Sequence, residues 1–321
     1  MTRTALLIAG ALVGAMPVDA VFSQTWPTRP VRLVVSFPPG GATDTFSRVA
    51  ASEVSRQVGQ QVLVENRPGA GTIIAGEIVA KAAPDGHTLL FTDLSTHTIK
   101  RSLYPKLPYD PLRDFSPIAV LNHSPLLLVA HPSVGAKTAA ELVAVARRNP
   151  GITMGHSGLG TVTHMTGEKF RLRAGIKTTP VAYKGGALPV TALLSGEIAM
   201  VMATVPAALP HVRSGRLVAI GLAADKRAAS MKDIPALTET IKGTEGAVIS
   251  AVLGPAGMAA ALVERLNMEF TRVSDSATAR DAYTANGAEA LRMTPAEMQR
   301  FMERDAREWE EEVKATGVKL D

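Results

Sequence analysis

The chain contains no cysteine, so disulfide scaffolds, thiol nucleophiles, iron–sulfur clusters and cysteine-ligated zinc are excluded. Aromatic residues make up only 4%, which leaves few rings on which nucleic-acid bases could stack. Charge is nearly balanced: 34 Lys+Arg against 29 Asp+Glu leave +5, a mild bias that suits an anionic small ligand without requiring one. Beyond the N-terminus, no apolar run reaches the roughly 20 residues needed to span a bilayer. There is no Gly-x-x-x-x-Gly-Lys-Ser/Thr phosphate loop, no His-Glu-x-x-His and no internal repeat. The seven histidines (87, 97, 123, 131, 156, 164 and 211) include no i, i+4 pair, so no metal site is expected.

The N-terminus reads as an export signal. Arg3 precedes an uncharged apolar run from Ala5 to Met16, Pro17 breaks it, and small residues follow at Ala20 and Ser23. Residues 1–23 are expected to be removed, leaving an exported, soluble chain. Arg3 and Asp19 cancel, so the processed chain keeps its +5 charge.

From Pro30 onwards, short apolar runs alternate with helical patterns. Val31-Arg-Leu-Val-Val, Gln61-Val-Leu-Val-Glu and Thr88-Leu-Leu-Phe-Thr read as strands, with helices expected over 44–58 and 72–82. The rhythm recurs from Leu126 to about Leu222, and long charged helices begin near 259 and 295. The expected fold is therefore α/β, with two lobes that are each a mostly parallel sheet flanked by helices. Two crossing strands, near 122–128 and 250–254, would form the hinge. The lobes are expected at 24–124 with 252–321, and at 125–251.

Two apparent catalytic signatures fail on spacing. Gly69-Ala-Gly71 has Ile74 where a dinucleotide fingerprint needs its third glycine. His156-Ser157-Gly158 has Leu159 where a nucleophile elbow needs glycine, so a secreted serine hydrolase using Ser157 is only an alternative reading. The positive signal is four strand-to-helix junctions rich in small polar residues: Pro38–Asp44, Thr92–His97, Ser157–Thr161 and Tyr183–Gly186. Such junctions expose backbone N–H groups and hydroxyls at helix N-termini, which suit a carboxylate. Asp44 also fits an ordinary first-turn acid, and Lys184 an ordinary solvated charge.

These motifs, in order, carry a resemblance. Trp26-Pro-x-Arg-Pro, Phe37-Pro-Pro-Gly-Gly-x-x-Asp44, Asn66-Arg-Pro-Gly-Ala-Gly71, Pro84-Asp-Gly-His-Thr-Leu89 and Leu103-Tyr-Pro-Lys-Leu-Pro-Tyr-Asp110 are followed by Ser157-Gly-x-Gly-Thr-x-x-His164, Tyr183-Lys-Gly185, Ala208-Leu-Pro-His211 and Leu253-Gly-Pro-Ala-Gly257. From about Trp26 to the C-terminus the chain resembles the Bug-type periplasmic substrate-binding proteins of tripartite tricarboxylate transporters.

The resemblance implies a two-lobed, type II-like periplasmic-binding-protein fold that closes on a small organic anion. It also implies delivery to membrane permease subunits with no chemistry, cofactor, metal or nucleic acid involved, by a monomer in the periplasm; a sensor acting on a signalling receptor is the other alternative. By motif, the ligand contacts fall on Pro39, Gly40, Gly41, Thr43, Asp44, Thr96 and His97 in the first lobe. In the second lobe they fall on Ser157, Gly160, Thr161, His164, Lys184 and Gly185. His156, Ala182, Ala192, Ala203 and Ile249-Ser250 depart from the family pattern, and His156 adds a candidate donor. With alanine at 192 and 203, where relatives often carry Asp, a non-amino carboxylate is expected, because a buried ammonium needs a partner.

Overall fold

The computed structural model describes residues 26–320, and the expected signal segment lies outside them. β1 (Val31–Val35) is buried at every position but Arg32, the pattern of a strand covered on both faces. It pairs in parallel with β2 (Val62–Asn66) and β3 (Thr88–Asp93). α1 (Ala42–Val58) and α2 (Ile73–Ala80) make the connections, and α3 (Leu94–Leu103) leaves the end of β3.

The chain then enters β4 (Phe115–Ala130), a strand of 16 residues that belongs to two sheets. The second lobe follows as α4 (Ala139–Arg148), β5 (Ile152–His156), α5 (Val162–Ala174), β6 (Thr178–Ala182), α6 (Ala187–Leu194), β7 (Met200–Thr204), α7 (Val205–Arg213) and β8 (Val218–Ala223). β5 pairs in parallel with β6 and β7, while β7 and β8 run antiparallel to the second half of β4. The return strand β9 (Ala247–Pro255) lies antiparallel between β3 and β4. α8 (Ala260–Val273), α9 (Ala277–Ala285), the short β10 (Glu289–Ala290) and α10 (Pro295–Thr316) complete the first lobe. Each lobe thus has a parallel core, and the antiparallel strands are the crossings.

β4 shows how one strand serves both lobes. Its pairing with β9 runs to Pro125, and its pairing with β7 and β8 starts at Leu126. Proline has no N–H for a sheet ladder, so Pro125 suits the point where the strand changes partners. Beyond it the side chains alternate: Leu126, Leu128 and Ala130 enter the large core, while Leu127 and Val129 enter a separate second-lobe cluster. By pairing, we place the divide between lobes at 125/126 on the way out and 246/247 on the way back, against the expected 124/125 and 251/252.

Candidate functional site

Three helices begin at the cleft with no side-chain cap. The N-cap of α1 is Gly41, that of α6 is Gly186 and that of α7 is Thr204, and none of them supplies a capping hydrogen bond. All three caps line one cavity between the lobes, together with Phe37, Ala42, Thr43, Asp93 and Val248 of the first lobe and Ser157, Val162 and Thr163 of the second. Side chains cap other helices: Asp93 caps α3, Thr138 caps α4, Thr161 caps α5, and Thr294 with Glu297 forms a capping box on α10, while α2 and α8 also start uncapped but away from this cavity. First-turn N–H groups have no partner within their own helix and sit at the positive end of its dipole. Three uncapped starts at one cavity present the kind of donors that suit an anion.

The lobes approach each other through glycine. A side chain on Gly186 would place Cβ 3.5 Å from Gly41 Cα across the cleft and 3.3 Å from Thr204 Oγ1. Gly185 has φ +98°, and a Cβ there would run into Pro38 Cγ. Val162 N–H donates across the cleft to Thr96 Oγ1 at 2.9 Å. The cavity that remains is about 20 Å³ by the centres of the waters it can hold, enough for one or two waters. This is a narrowed cleft, and an organic acid needs the lobes further apart.

The sequence-derived residues divide into three groups. Gly41, Thr43 and Ser157 line the cavity. The hydroxyl of Ser157 lies 2.7 Å from Thr163 Oγ1 and 3.3 Å from Thr161 Oγ1, and its carbonyl accepts Gly185 N–H at 2.9 Å. No described histidine hydrogen-bonds to Ser157, which leaves the hydrolase alternative without its base.

A second group shapes the loops. Asp44 turns back on its own loop: its carboxylate accepts from Gly40 N–H at 3.2 Å, Asn66 Nδ2 at 3.0 Å and Arg48 at 2.8 Å. Burial alone would raise Asp44, but these bonds hold it below the usual carboxylate range. Asn66 also donates to Phe37 O at 2.8 Å, so the Asn66 motif pins the first loop. Thr161 caps α5 and donates to Gly158 O at 2.7 Å, and Gly160 N–H donates to His164 Nδ1 at 3.2 Å. Thr96 sits on Asp93, and Gly185 under Pro38.

The third group lies off the cavity wall. Pro39, Gly40 and Lys184 are exposed. His97 is packed between Tyr109 and Phe115 with Nε2 3.0 Å from Pro111 O, and burial pushes it down to about 3, so it is a neutral core histidine. His156 and His164 stack with ring centroids 4.2 Å apart. His156 Nδ1 faces Gly158 O at 3.0 Å, and burial, with His164 beside it, brings His156 down to about 3. Burial also lowers His164.

Sequence reasoning missed the most informative wall residues, Thr204 and Asp93. Thr204 Oγ1 is buried at the cavity with no hydrogen-bond partner. Both residues end strands immediately before helices, which is the signal that could have found them. Ala192 and Ala203 instead pack in the second-lobe hydrophobic cluster, so their identity says nothing about acids in the cleft. The acid there is Asp93. Among the described residues there is no cluster of three or more candidate metal ligands, and no helix long and apolar enough to cross a membrane.

Comparison with known proteins agrees with this architecture. The chain is 33% identical over 326 residues to Protein BugT of Bordetella pertussis, covering 100% of this chain and 99% of that one. A Rhodopseudomonas palustris protein solved with adipate superposes with a TM-score of 0.88 at 32% identity, over 92% of this chain and 99% of that one. MatC from Rhodopseudomonas palustris, solved with bound malate, gives 0.84 at 31% identity, over 90% and 100%. The periplasmic binding protein BugD gives 0.87 at 27% identity, over 92% and 100%. The family profile described as "Tripartite tricarboxylate transporter family receptor" matches residues 46–318, and the chain belongs to that family.

Proposed function

We propose that this protein captures a small organic carboxylate between its lobes in the periplasm and delivers it to the membrane permease subunits of a tripartite transporter. The observation that carries this reading is the meeting of three uncapped helix N-termini and the unpartnered Thr204 hydroxyl at one interlobe cavity. Adipate and malate in two structural relatives support a carboxylate ligand. A single chain supplies both walls, which supports action as a monomer. Capture works by hinge closure: the ligand stabilises the closed form by the contacts it makes there and not in the open form. No step of this cycle changes the ligand chemically.

The test is a thermal-shift screen of protein freed of retained ligand, against di- and tricarboxylates, aromatic carboxylates and amino acids. A ligand at a hundredfold excess over its Kd should add about 2.7 kcal/mol of stability. A hit confined to carboxylates is expected. Silence across all carboxylates would overturn the proposal.

A further inference from the structure

Asp93 is the one acid in the wall of the cavity, and its surroundings define what it can still do. It ends β3, caps α3 and is 1% exposed. Oδ2 accepts Thr96 N–H at 3.1 Å and also the Thr96 hydroxyl. That hydroxyl accepts Val162 N–H from the second lobe, so its own proton is directed at Asp93. Oδ1 accepts Ile249 N–H at 2.9 Å from the hinge strand β9. Three donors aimed at one carboxyl form the environment of an ionised carboxylate. Behind it, Lys100 is fully buried with Nζ 2.6 Å from Thr96 O, and its charge favours the carboxylate. Burial opposes this, pushing the Asp93 carboxyl up and Lys100 down to about 7. With Ile249 N–H as its partner, Oδ1 retains one acceptor position.

We propose that Asp93 is a specificity-determining residue: the preferred ligand is a carboxylate that also carries a hydrogen-bond donor, a hydroxyl or an ammonium, which binds the remaining acceptor position of Asp93. The inference rests on the carboxylate-capture reading of the same site. Its logic is complementarity: the uncapped helix starts and the Thr204 hydroxyl present donors to the ligand carboxylate, whereas Asp93 presents only an acceptor. A plain dicarboxylate would set a methylene against that position, and a buried acceptor left unsatisfied costs binding. This admits an amino ligand beside the expected non-amino one, because an acid is supplied from the first lobe instead of from positions 192 and 203.

The experiment is titration calorimetry on ligand-free protein with matched sets at four, five and six carbons: succinate, malate and aspartate, then the corresponding plain, 2-hydroxy and 2-amino diacids. At one chain length at least, the hydroxy or amino acid should bind about tenfold or more tightly than the plain diacid, as expected for a hydrogen bond to a charged group. Which of the two wins identifies the donor. In Asp93→Asn the preference should shrink to about twofold or less, mainly through loss of affinity for the donor-bearing acid. Plain diacids binding as tightly as their derivatives in the wild-type protein would overturn the proposal, and that comparison needs no variant to fold. A preference that survives Asp93→Asn would also overturn it. If no carboxylate binds the wild-type protein at all, the capture reading fails and this inference falls with it.

Discussion

The two walls of the cleft are made of different chemistry. The second-lobe wall is uncharged: Ser157, Thr163 and Thr204 bring hydroxyls, Gly186 brings backbone close, and the histidines behind it are stacked and neutral. The first-lobe wall holds Asp93 in front of a buried group of titratable side chains. Lys100 bonds Thr96 O, and Asp305 of α10 accepts from Thr98 Oγ1 and from Ser95 Oγ at 3.3 Å. Burial raises Asp305 to about 6. On the proposed function the contrast separates two tasks: hydroxyls and helix N–H groups would hold a carboxylate whatever it is attached to, whereas a fixed acid would discriminate among attachments.

The largest expected effect comes from filling the glycine contact between the walls. Gly186→Leu puts a side chain against Gly41 and Thr204, and overpacking of this kind costs about 2–3 kcal/mol, or roughly 30- to 150-fold in affinity. Calorimetry would measure it, and unchanged affinity would mean the walls need not meet this closely. Thr204→Val tests the hydroxyl wall directly. Affinity should fall about tenfold, while the ligand-free melting temperature holds or rises, because a buried hydroxyl without a partner is removed. A drop in ligand-free stability with affinity intact would assign Thr204 to packing alone.

A smaller effect distinguishes the neutral histidine pair from the charged network opposite. His156 is held at about 3 against an ordinary 6.5, so the unfolded chain takes up its proton first. Its contribution to stability is present above pH 6.5 and is lost as pH falls from there towards 3. In His156→Ser, the decline in melting temperature across that window should become shallower, and an unchanged slope would contradict the burial of a neutral ring. The smallest effect is expected for Lys184→Ala. An exposed lysine at the rim should change affinity less than about twofold at physiological salt. A tenfold loss would give the second-lobe wall a charge of its own and erase the contrast.

Much of this was legible in the chain. The apolar runs, the turn residues and the polar junctions placed the strands, the helices and the end of each lobe that faces the interlobe cavity. The motif at 37–44 supplied Gly41 and Thr43, and the motif at 157–164 supplied Ser157. The family motifs also point to Asp44, His97 and His164, with His156 as an added donor, whereas Asp44 closes its own loop and His97 fills a core between two rings. His156 and His164 stack off the cavity wall. A polar residue near a glycine-rich turn serves a loop, a core or a ligand equally well, and the composition of the turn does not distinguish them.

Local sequence determined what depends on neighbours along the chain: strand and helix periodicity, the caps of α4, α5 and α10, and the glycines that let backbone adopt positive φ. Tertiary structure alone decided what depends on distant partners. Only when β9 returns between β3 and β4 does Ile249 N–H meet Asp93, and only when the lobes approach do Gly41 and Gly186 face each other. The missing caps of α1 and α6 are visible in the sequence as glycines, whereas Thr204 looks like an ordinary cap and only the structure shows that it leaves α7 uncapped. That they converge on a single cavity is set by the packing of two sheets, which no local pattern encodes.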